Sequence, residues 1–402
     1  MKAEPLQQYD HPAHFEPLLP SEAHLTGLVS RSRPVVEASL RLQGVLTPST
    51  RAELRELVRA MNSYYSNRIE GQSTHPLNIE SALRKDFSAT PGIAKRQRIA
   101  VAHIAAEMEL EGLKLSEVEA FKSETLRKAH ENLYRRLQPD DRVTDEGQVV
   151  IPGQWRQVRV SVFRHEPPAV GSIAQFLQRA DEVYGRPWGL DTLLTAAACA
   201  HHRLIWVHPF LDGNGRSCRL QLHTILHGLS DGLWSANRGL ARQRDGYYQR
   251  LAEADMARQG ALDGRGNLSQ RMLVNWCEFF IDVCQDQVNF MTKLLEPETL
   301  KNRLTALVRV RAAERPGSDY REEAILPLVH ILGIGPVSRA DFAQMTGLGA
   351  STARKVIAQL LKDGLLKSES HRSEVRIGLP LDALNILFPN LYPEAATATF
   401  DE

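Results

Sequence analysis

The sequence predicts a mainly α-helical protein with a small β-hairpin and a C-terminal module of three helices and two short strands. Most segments carry apolar residues three or four apart, as in Leu54, Leu57, Val58 and Met61. Residues 147–163 instead alternate apolar and polar positions and are rich in valine, which is typical of a hairpin. The chain has 402 residues, 43% of them hydrophobic and 24% charged, so it is long enough for two or three domains.

Composition excludes several classes of protein. There are 49 basic and 48 acidic residues, a balance that argues against binding a polyanion over the whole surface. The four cysteines form no CxxC pair, which excludes a disulfide scaffold and a structural zinc site of the usual spacing. The N-terminus lacks the layout of a secretion signal, and the longest apolar run, residues 324–337, is too short to span a membrane. We therefore expect a cytoplasmic protein.

The chain divides into four predicted parts: residues 1–110, 111–295, 317–385 and a tail, 386–402. Residues 1–45 are rich in proline and glutamate and have weak periodicity, so an extended lead-in is predicted there. A helix is predicted from about residue 50 to 69, and further helices over 92–110, 121–137, 172–184, 191–207, 214–228 and up to residue 290. The composition changes at residues 315–317, which predicts a linker.

The third part follows the order helix, helix, helix, hairpin. Residues 322–333 form an apolar segment, and Ser338 and Ser351 are predicted to cap the second and third helices. Residues 365–379 alternate like a two-stranded wing, so the module resembles a winged helix-turn-helix. Residues 301–376 hold thirteen Lys and Arg against eight Asp and Glu. DNA binding and protein docking both stay open, and the candidate phosphate contacts are Arg354, Lys355, Lys367, Arg372 and Arg376.

The stretch HPFLDGNGRSCR, residues 208–219, carries the chemistry. Gly213 and Gly215 flank an asparagine at a predicted helix start, where backbone N–H groups and the helix dipole favour an anion. Arg216 and Arg219 are three apart and project from one face of that helix. This pattern predicts a cradle for a polyphosphate with two cationic side chains.

Two more residues of the stretch complete a reactive site. Asp212 supplies a carboxylate, and Mg²⁺ typically takes one or two carboxylates together with phosphates and water. A neutral imidazole at His208 could take a proton from an attacking hydroxyl. The twelve residues thus contain a candidate base, a candidate metal ligand and an anion cradle, a combination that predicts phosphate-transfer chemistry.

HPFLDGNGRSCR resembles the signature of the Fic (Fic/Doc) family, His-x-Phe-x-Asp-Gly-Asn-Gly-Arg-x-x-Arg, and the resemblance covers roughly residues 50–290. It implies a helical Fic core over 111–295 and transfer of AMP from ATP to a Ser, Thr or Tyr hydroxyl of a protein. The implied roles are a general base for His208, a Mg²⁺ ligand for Asp212 and a core residue for Phe210. The implied ATP-binding residues are Gly213, Asn214, Gly215, Arg216 and Arg219. Gly215 favours AMP transfer over the phosphate transfer of Doc-type kinases.

SNRIEG, residues 66–71, ends the helix predicted at about 50–71. Gly71 suits a helix C-cap. The segment also resembles the family's inhibitory motif, Ser/Thr-x-x-x-Glu-Gly/Asn, with Ser66, Glu70 and Gly71 at the defined positions. The resemblance implies that Glu70 pairs with Arg219 and inhibits the enzyme. The same carboxylate would alternatively position a water that removes AMP from a modified protein.

Two weaker resemblances concern the target and the adenine. The hairpin at 147–163 resembles the family's flap, which implies that Val160, Ser161, Val162 and Phe163 dock the target by main-chain pairing. Tyr247 and Tyr248 resemble a tyrosine pair near the adenine, although core positions suit them equally.

Some residues near the signature suggest other kinds of site, and several alternative functions stay open. His223 and His227 have the i, i+4 spacing of metal ligands, but no third ligand is evident, so helical histidines are predicted rather than a zinc site. Cys218 shows no sign of being a nucleophile. Donors such as UTP or CTP, self-modification, a homodimer and a nucleotide-sensing DNA-binding regulator stay open.

Overall fold

A computed structural model of the chain describes residues 9–162, 165–315 and 317–393, with Leu381 described by its backbone only. Those residues form seventeen α-helices, one two-stranded sheet and short 3-10 helices. The helices are α1 (Glu22–Val45), α2 (Pro48–Ile69), α3 (Pro76–Leu83), α4 (Pro91–Gly112), α5 (Glu117–Phe121), α6 (Ser123–Tyr134), α7 (Ile173–Tyr184), α8 (Leu190–Val207), α9 (Asn214–Ser230), α10 (Ala236–Arg242), α11 (Arg244–Ala254), α12 (Gln270–Leu294), α13 (Pro297–Glu314), α14 (Ile325–Ile334), α15 (Arg339–Thr346), α16 (Ala350–Lys362) and α17 (Leu384–Leu387). The strands are β1 (Leu366–Lys367) and β2 (Arg376–Ile377), and the 3-10 helices are Pro12–Phe15, Pro139–Arg142, Val170–Ser172, Glu322–Ala324 and Leu381–Ala383.

Helix α8 lies at the centre of the core and packs against α1, α7, α9 and α12. Alanines at 196, 197, 198 and 200 are fully buried, and their small side chains let neighbouring helices approach closely. α9, which begins in the signature stretch, packs in turn on α6 and α8. The mainly α-helical fold is confirmed, and the predicted helices over 50–69, 92–110, 121–137 and 172–228 correspond to α2, α4, α6 and α7–α9. Of the described helices, none combines the length and apolar character needed to cross a bilayer.

The prediction of an extended lead-in over residues 1–45 is wrong for residues 22–45, which form α1. Its buried positions include Leu28, Ser32, Val35, Ser39 and Leu42, spaced alternately by four and three residues. This is the period of a helix that packs along one stripe. Two of the five positions are serines, which interrupt the apolar pattern in the sequence yet allow close packing against α8 and α12.

The predicted hairpin at 147–163 is also wrong in its backbone pairing. The described residues there form no ladder and make only isolated bridges, Val143 with Val149 and Val162 with His165. Pro152 lacks an N–H group to pair, and Gly153 has a left-handed conformation with φ of +74°.

Arg156 explains where the stretch forms its hydrogen bonds instead. Its backbone N–H donates to Pro209 O at 2.8 Å, and its Nε donates to His208 O at 2.9 Å. Its Nη2 also donates to Pro168 O. The segment is therefore tied to the loop after α8 by one buried arginine rather than to a partner strand.

The C-terminal module has the predicted order of three helices and two strands. β1 and β2 pair antiparallel with Leu366 opposite Ile377. Ser338 caps α15 and accepts from Asp341 N, as predicted. The prediction that Ser351 caps the next helix is wrong, because α16 begins at Ala350 with Gly349 at the N-cap.

This module packs against α2. Glu53 of α2 is 3% exposed and forms ion pairs with Lys367 Nζ at 2.6 Å and Arg376 Nε at 3.3 Å. Two of the candidate phosphate-binding cations therefore already pair with a buried carboxylate. Thr50 Oγ1 donates to Leu332 O at 2.9 Å, and Tyr65 Oη donates to Leu391 O at 2.8 Å.

The packing of α1 predicts a difference between two identical substitutions on one helix. Leu28→Ala, at a position 1% exposed, should lower the free energy of unfolding by about 2–5 kcal/mol because it leaves a cavity. Leu40→Ala, at a position 49% exposed, should change it by less than about 0.5 kcal/mol. Urea unfolding of the full chain measures both; equal midpoints would contradict the assignment of α1 as a core helix.

Candidate functional site

The signature stretch folds as a tight loop between α8 and α9. His208 ends α8 in a left-handed conformation with φ of +48°. Phe210 is fully buried and stacks on His130 with ring centroids 3.8 Å apart. Asn214 fixes the loop from both sides: its Oδ1 accepts from Phe210 N at 2.8 Å, and its Nδ2 donates to Phe210 O at 2.9 Å. The Asn214 side chain therefore shapes the loop, as its burial to 2% exposure also indicates.

Gly213 forms the N-cap of α9, and its geometry requires glycine. Its φ is +75°, and a Cβ atom there would lie 2.4 Å from Cε2 of Tyr134. Because α9 is seventeen residues long, its N-terminus presents unpaired backbone N–H groups and the positive end of the helix dipole. This backbone is compatible with the predicted anion cradle, whose occupation by phosphates stays a prediction.

Asp212 lies at the rim of the cradle and is exposed. Its Oδ2 accepts from Tyr134 Oη at 2.6 Å and from Arg216 Nη2 at 3.1 Å. The side chain is half-exposed, and the protein packed against its other side opposes ionisation, but the charge of Arg216 and the Tyr134 hydroxyl lower the pKa of Asp212 overall. An ionised carboxylate that solvent can reach fits a role as the single protein ligand of Mg²⁺.

Arg219 is buried to 1% exposure, and the end of α2 supplies its partners. Its Nη2 donates to Glu70 Oε1 at 2.5 Å and to Ser66 O at 3.1 Å, and its Nε donates to Ser66 Oγ at 3.0 Å. A Cβ atom on Gly215 would lie 2.3 Å from Glu70 Oε1. The carboxylate of Glu70 therefore lies directly against the first turn of α9.

Gly71 ends α2 as the sequence predicts. Its φ is +71°, and Gln72 N donates back to Asn67 O at 2.8 Å, which closes the last turn. The chain then carries Gln72 to the second arginine, where its Oε1 accepts from Arg216 Nη1 at 3.0 Å. Both signature arginines thus contact the segment that contains SNRIEG.

His208 is held as a neutral imidazole. Burial, with further contributions from the neighbouring side chains of His165 and Arg156, lowers its pKa to about 4. Its Nδ1 is buried and makes no hydrogen bond to any residue that the structure describes. A neutral ring at physiological pH is the form that can accept a proton.

Other candidate residues lie in different surroundings. Tyr247 is buried; its hydroxyl lies 2.9 Å from His201 Nε2 and also hydrogen-bonds with Arg219, and its role beside the adenine stays a prediction. Tyr248 is half-buried and donates to Ile69 O at 3.1 Å, beside Glu70. Cys218 is buried, which raises the pKa of its thiol to about 12 and leaves it no nucleophilic character.

The flap residues are only partly described. Ser161 is exposed, and Val162 forms a single bridge with His165. Phe163 lies outside the described residues. Target docking by Val160, Ser161, Val162 and Phe163 stays a prediction.

Sequence reasoning missed Tyr134 and His130, both on α6. Tyr134 Oη bridges Asp212 and Arg216, and His130 Nε2 donates to Asp212 O at 3.2 Å while its Nδ1 accepts from Gly153 N. These residues lie about eighty positions before the signature, and no local motif marks them. Only the packing of α6 on α9 brings them to the site.

Comparisons with known proteins agree with this geometry. Residues 120–226 match the family model described as the Fic/DOC family. The chain is 37% identical over 75 residues to the Protein adenylyltransferase Fic of Drosophila willistoni and 40% identical over 76 residues to that of Drosophila erecta. Each alignment covers 18% of this chain and 15% of the relative's length. A crystal structure of a Fic family protein from Desulfovibrio desulfuricans G20 shares the fold, with a TM-score of 0.52, 19% identity, and coverage of 90% of this chain and 98% of that one.

The burial of His208 predicts its titration. Its ring should titrate near pH 4, whereas an unperturbed histidine titrates at about 6.5. Because the unfolded chain takes up this proton at higher pH than the folded one, His208 should destabilise the fold as pH falls from about 6.5 towards 4. NMR of ¹⁵N-labelled histidines, with His208→Gln to assign the signal, measures the midpoint; a value near 6.5 would contradict the neutral base.

Proposed function

We infer, since residues 120–226 of this chain form a Fic/DOC-family domain, that the protein transfers AMP from ATP to a Ser, Thr or Tyr hydroxyl of a protein target and that Glu70 inhibits it. The observation that carries the proposal is the pairing of both signature arginines with carboxylates. Arg219 binds Glu70 and Arg216 binds Asp212 at the N-terminus of α9. The cradle is therefore built to bind oxyanions.

The proposed reaction assigns each group one task. The acceptor oxygen forms a bond to the α-phosphorus while the bond between that phosphorus and the bridging oxygen to the β-phosphate breaks, and pyrophosphate leaves. His208 takes the proton of the acceptor hydroxyl at a ring nitrogen, which its lowered pKa leaves free at neutral pH. Arg216, Arg219 and the N–H groups of Gly213–Gly215 hold the phosphates.

Mg²⁺ is the metal that this reaction implies, and Asp212 is the residue that would hold it. Its exposed, ionised carboxylate fits the preference of Mg²⁺ for one or two carboxylates beside phosphate oxygens. When bound, the ion would neutralise charge on the phosphates. Tyr134 and Arg216 fix the orientation of the carboxylate from the protein side.

Inhibition follows from the position of Glu70. Its carboxylate accepts a hydrogen bond from the guanidinium of Arg219, and this guanidinium is proposed to bind the γ-phosphate of ATP. Two like charges about 4 Å apart, here the Glu70 carboxylate and a phosphate, repel each other by roughly 4 kcal/mol at an effective dielectric near 20. This energy lowers the population of ATP bound in the reactive orientation on the order of a thousandfold. Glu70 therefore disfavours ATP bound with its γ-phosphate on Arg219.

Removal of AMP is the second candidate function, and the same carboxylate supports it. Glu70 lies at the first turn of α9, beside the phosphate cradle, where it could orient a water towards a phosphorus. In this direction Glu70 is required rather than inhibitory, so substitution of Glu70 has opposite effects on the two activities. DNA binding by residues 317–385 stays a prediction, now with Arg354, Lys355 and Arg372 as its exposed cations.

Glu70→Gly is predicted to raise AMP transfer at least tenfold and by up to roughly a thousandfold, because it frees Arg219. The full chain is incubated with Mg²⁺ and ATP labelled at the α-phosphate, and in parallel at the γ-phosphate, and label on protein is measured. The double variant Glu70→Gly/His208→Ala is the matched control and should take up no label.

Each outcome assigns the chemistry. Label from the α-position alone, increased by Glu70→Gly, supports AMP transfer with inhibition. Label from the γ-position would show a kinase instead. If no variant acquires label, while wild type but not Glu70→Gly releases AMP from a protein modified beforehand, then removal of AMP is the activity.

A further inference from the structure

Two carboxylates and one imidazole lie close together in the interior of the protein, away from the phosphate site. Glu107 and Glu111 lie one turn apart on α4, and His223 faces them from α9. One ligand atom from each lies within 4.8 Å of the others. Glu107 and His223 are buried to 1% and 4% exposure, and Glu111 is half-buried. The cluster thus pairs His223 with two carboxylates of a distant helix and does not include His227.

The distances within this cluster suit coordination better than hydrogen bonding. His223 Nε2 lies 3.4 Å from Glu107 Oε1 and 3.6 Å from Glu111 Oε1. A charge-assisted N–H···O bond would be about 2.7–2.9 Å long. Ligands about 2.0–2.1 Å from a tetrahedral Zn²⁺ are instead about 3.3–3.4 Å apart. The two observed separations are close to the edges of such a tetrahedron.

Buried polar atoms in the same place lack hydrogen bonds of ordinary length. Within the described residues, His223 Nε2 makes no hydrogen bond and pairs with Glu107 and Glu111 only at the longer distances of 3.4 and 3.6 Å, although its side chain is 3% exposed. Glu111 Oε1 and Asn62 Oδ1 are also buried without a hydrogen bond to a described residue. Because an unsatisfied buried polar atom costs about 1–3 kcal/mol, an ion that binds these atoms would stabilise the cluster.

We propose that Glu107, Glu111 and His223 form a binding site for a divalent first-row transition metal, with Zn²⁺ as the best-fitting ion. Mixed imidazole and carboxylate ligands suit Zn²⁺, whereas Mg²⁺ and Ca²⁺ take oxygen ligands. A water completes four-coordination. The site is separate from the Mg²⁺ position at Asp212 and does not depend on the proposed transfer reaction.

Neighbouring residues provide an outer shell for this metal. Arg59 Nε donates to Glu111 Oε2 at 3.0 Å and leaves Oε1 for the ion. The amide of Asn62 contacts Glu107 at 3.1 Å and His223 Nδ1 at 3.3 Å. When Nε2 binds a metal, Nδ1 carries the proton, and a half-turn of the Asn62 amide gives it an acceptor oxygen.

The position of the site connects it to the inhibitory contact. Asn62 precedes Ser66 by four residues on α2, and His223 follows Arg219 by four residues on α9. Both steps are about one helical turn, so the metal would lie one turn from the contact between Ser66 and Arg219. A bound ion would tie α4 to α9 and, through Asn62, to α2.

The test measures metal directly on the full, untagged chain. Protein stripped of metal with EDTA is dialysed against Zn²⁺ and desalted, and its zinc content is measured by inductively coupled plasma mass spectrometry. Thermal unfolding is measured on the same samples. Wild type should hold about one zinc per chain and unfold at a higher temperature than the stripped protein. Co²⁺ in place of Zn²⁺ should give the visible absorption of a tetrahedral site.

Variants separate this site from zinc bound at the surface. His223→Ala and Glu111→Gln should each weaken zinc binding at least tenfold, and Glu111→Gln keeps the size of the side chain and an oxygen for Arg59. His227→Ala, one turn further along α9, should bind zinc as wild type does. The proposal is overturned if stripped wild type takes up no zinc, or if His223→Ala and Glu111→Gln hold as much as wild type; an ion-paired His223 would then explain the cluster.

Discussion

The rest of the site depends on the burial of the Arg219 guanidinium. Arginine stays ionised in a protein, so a side chain at 1% exposure needs an anion and hydrogen-bond acceptors next to it. The acceptors come from the last turn of α2, through the hydroxyl and carbonyl of Ser66 and the carboxylate of Glu70. This one requirement places α2 against α9 and puts a carboxylate where the sequence predicts a phosphate. In this structure the Arg219 guanidinium is therefore paired with the Glu70 carboxylate.

Local signals were enough to predict the parts of the site that are contiguous in the chain. The glycines at 71 and 213 adopt the left-handed conformations that their places at a helix end and a helix start require. The pairing of Glu70 with Arg219 was expected from the family resemblance, because the motif and the signature are both complete. Helices with uninterrupted apolar periods, such as α2 and α4, were also predictable within a few residues.

The failures share a physical cause, which is that tertiary partners decided the outcome. In α1, serines at 32 and 39 occupy core positions, and Ser39 Oγ accepts a hydrogen bond from the indole N–H of Trp234 at 3.0 Å. In residues 147–163, the alternation typical of a strand was overridden by hydrogen bonds from Arg156 to the loop after α8. Tyr134 reaches Asp212 only because α6 packs on α9. None of these contacts leaves a short-range pattern in the sequence.

The packing around α2 limits how Glu70 can leave Arg219. Tyr65, Ser66 and Ile69 are fully buried. Lys367 of the C-terminal module pairs with Glu53 of the same helix, and the carbonyl of Leu391, in the tail that follows the module, accepts from Tyr65. Moving α2 as a unit would expose these residues and break the ion pairs of Glu53, at a cost of several kcal/mol. Glu70 itself is exposed, stands at the helix end and is followed by a glycine. Rotation of its side chain, or opening of the final turn, would separate Glu70 from Arg219 while the helix stays in place, so relief of the proposed inhibition would not require α2 to move.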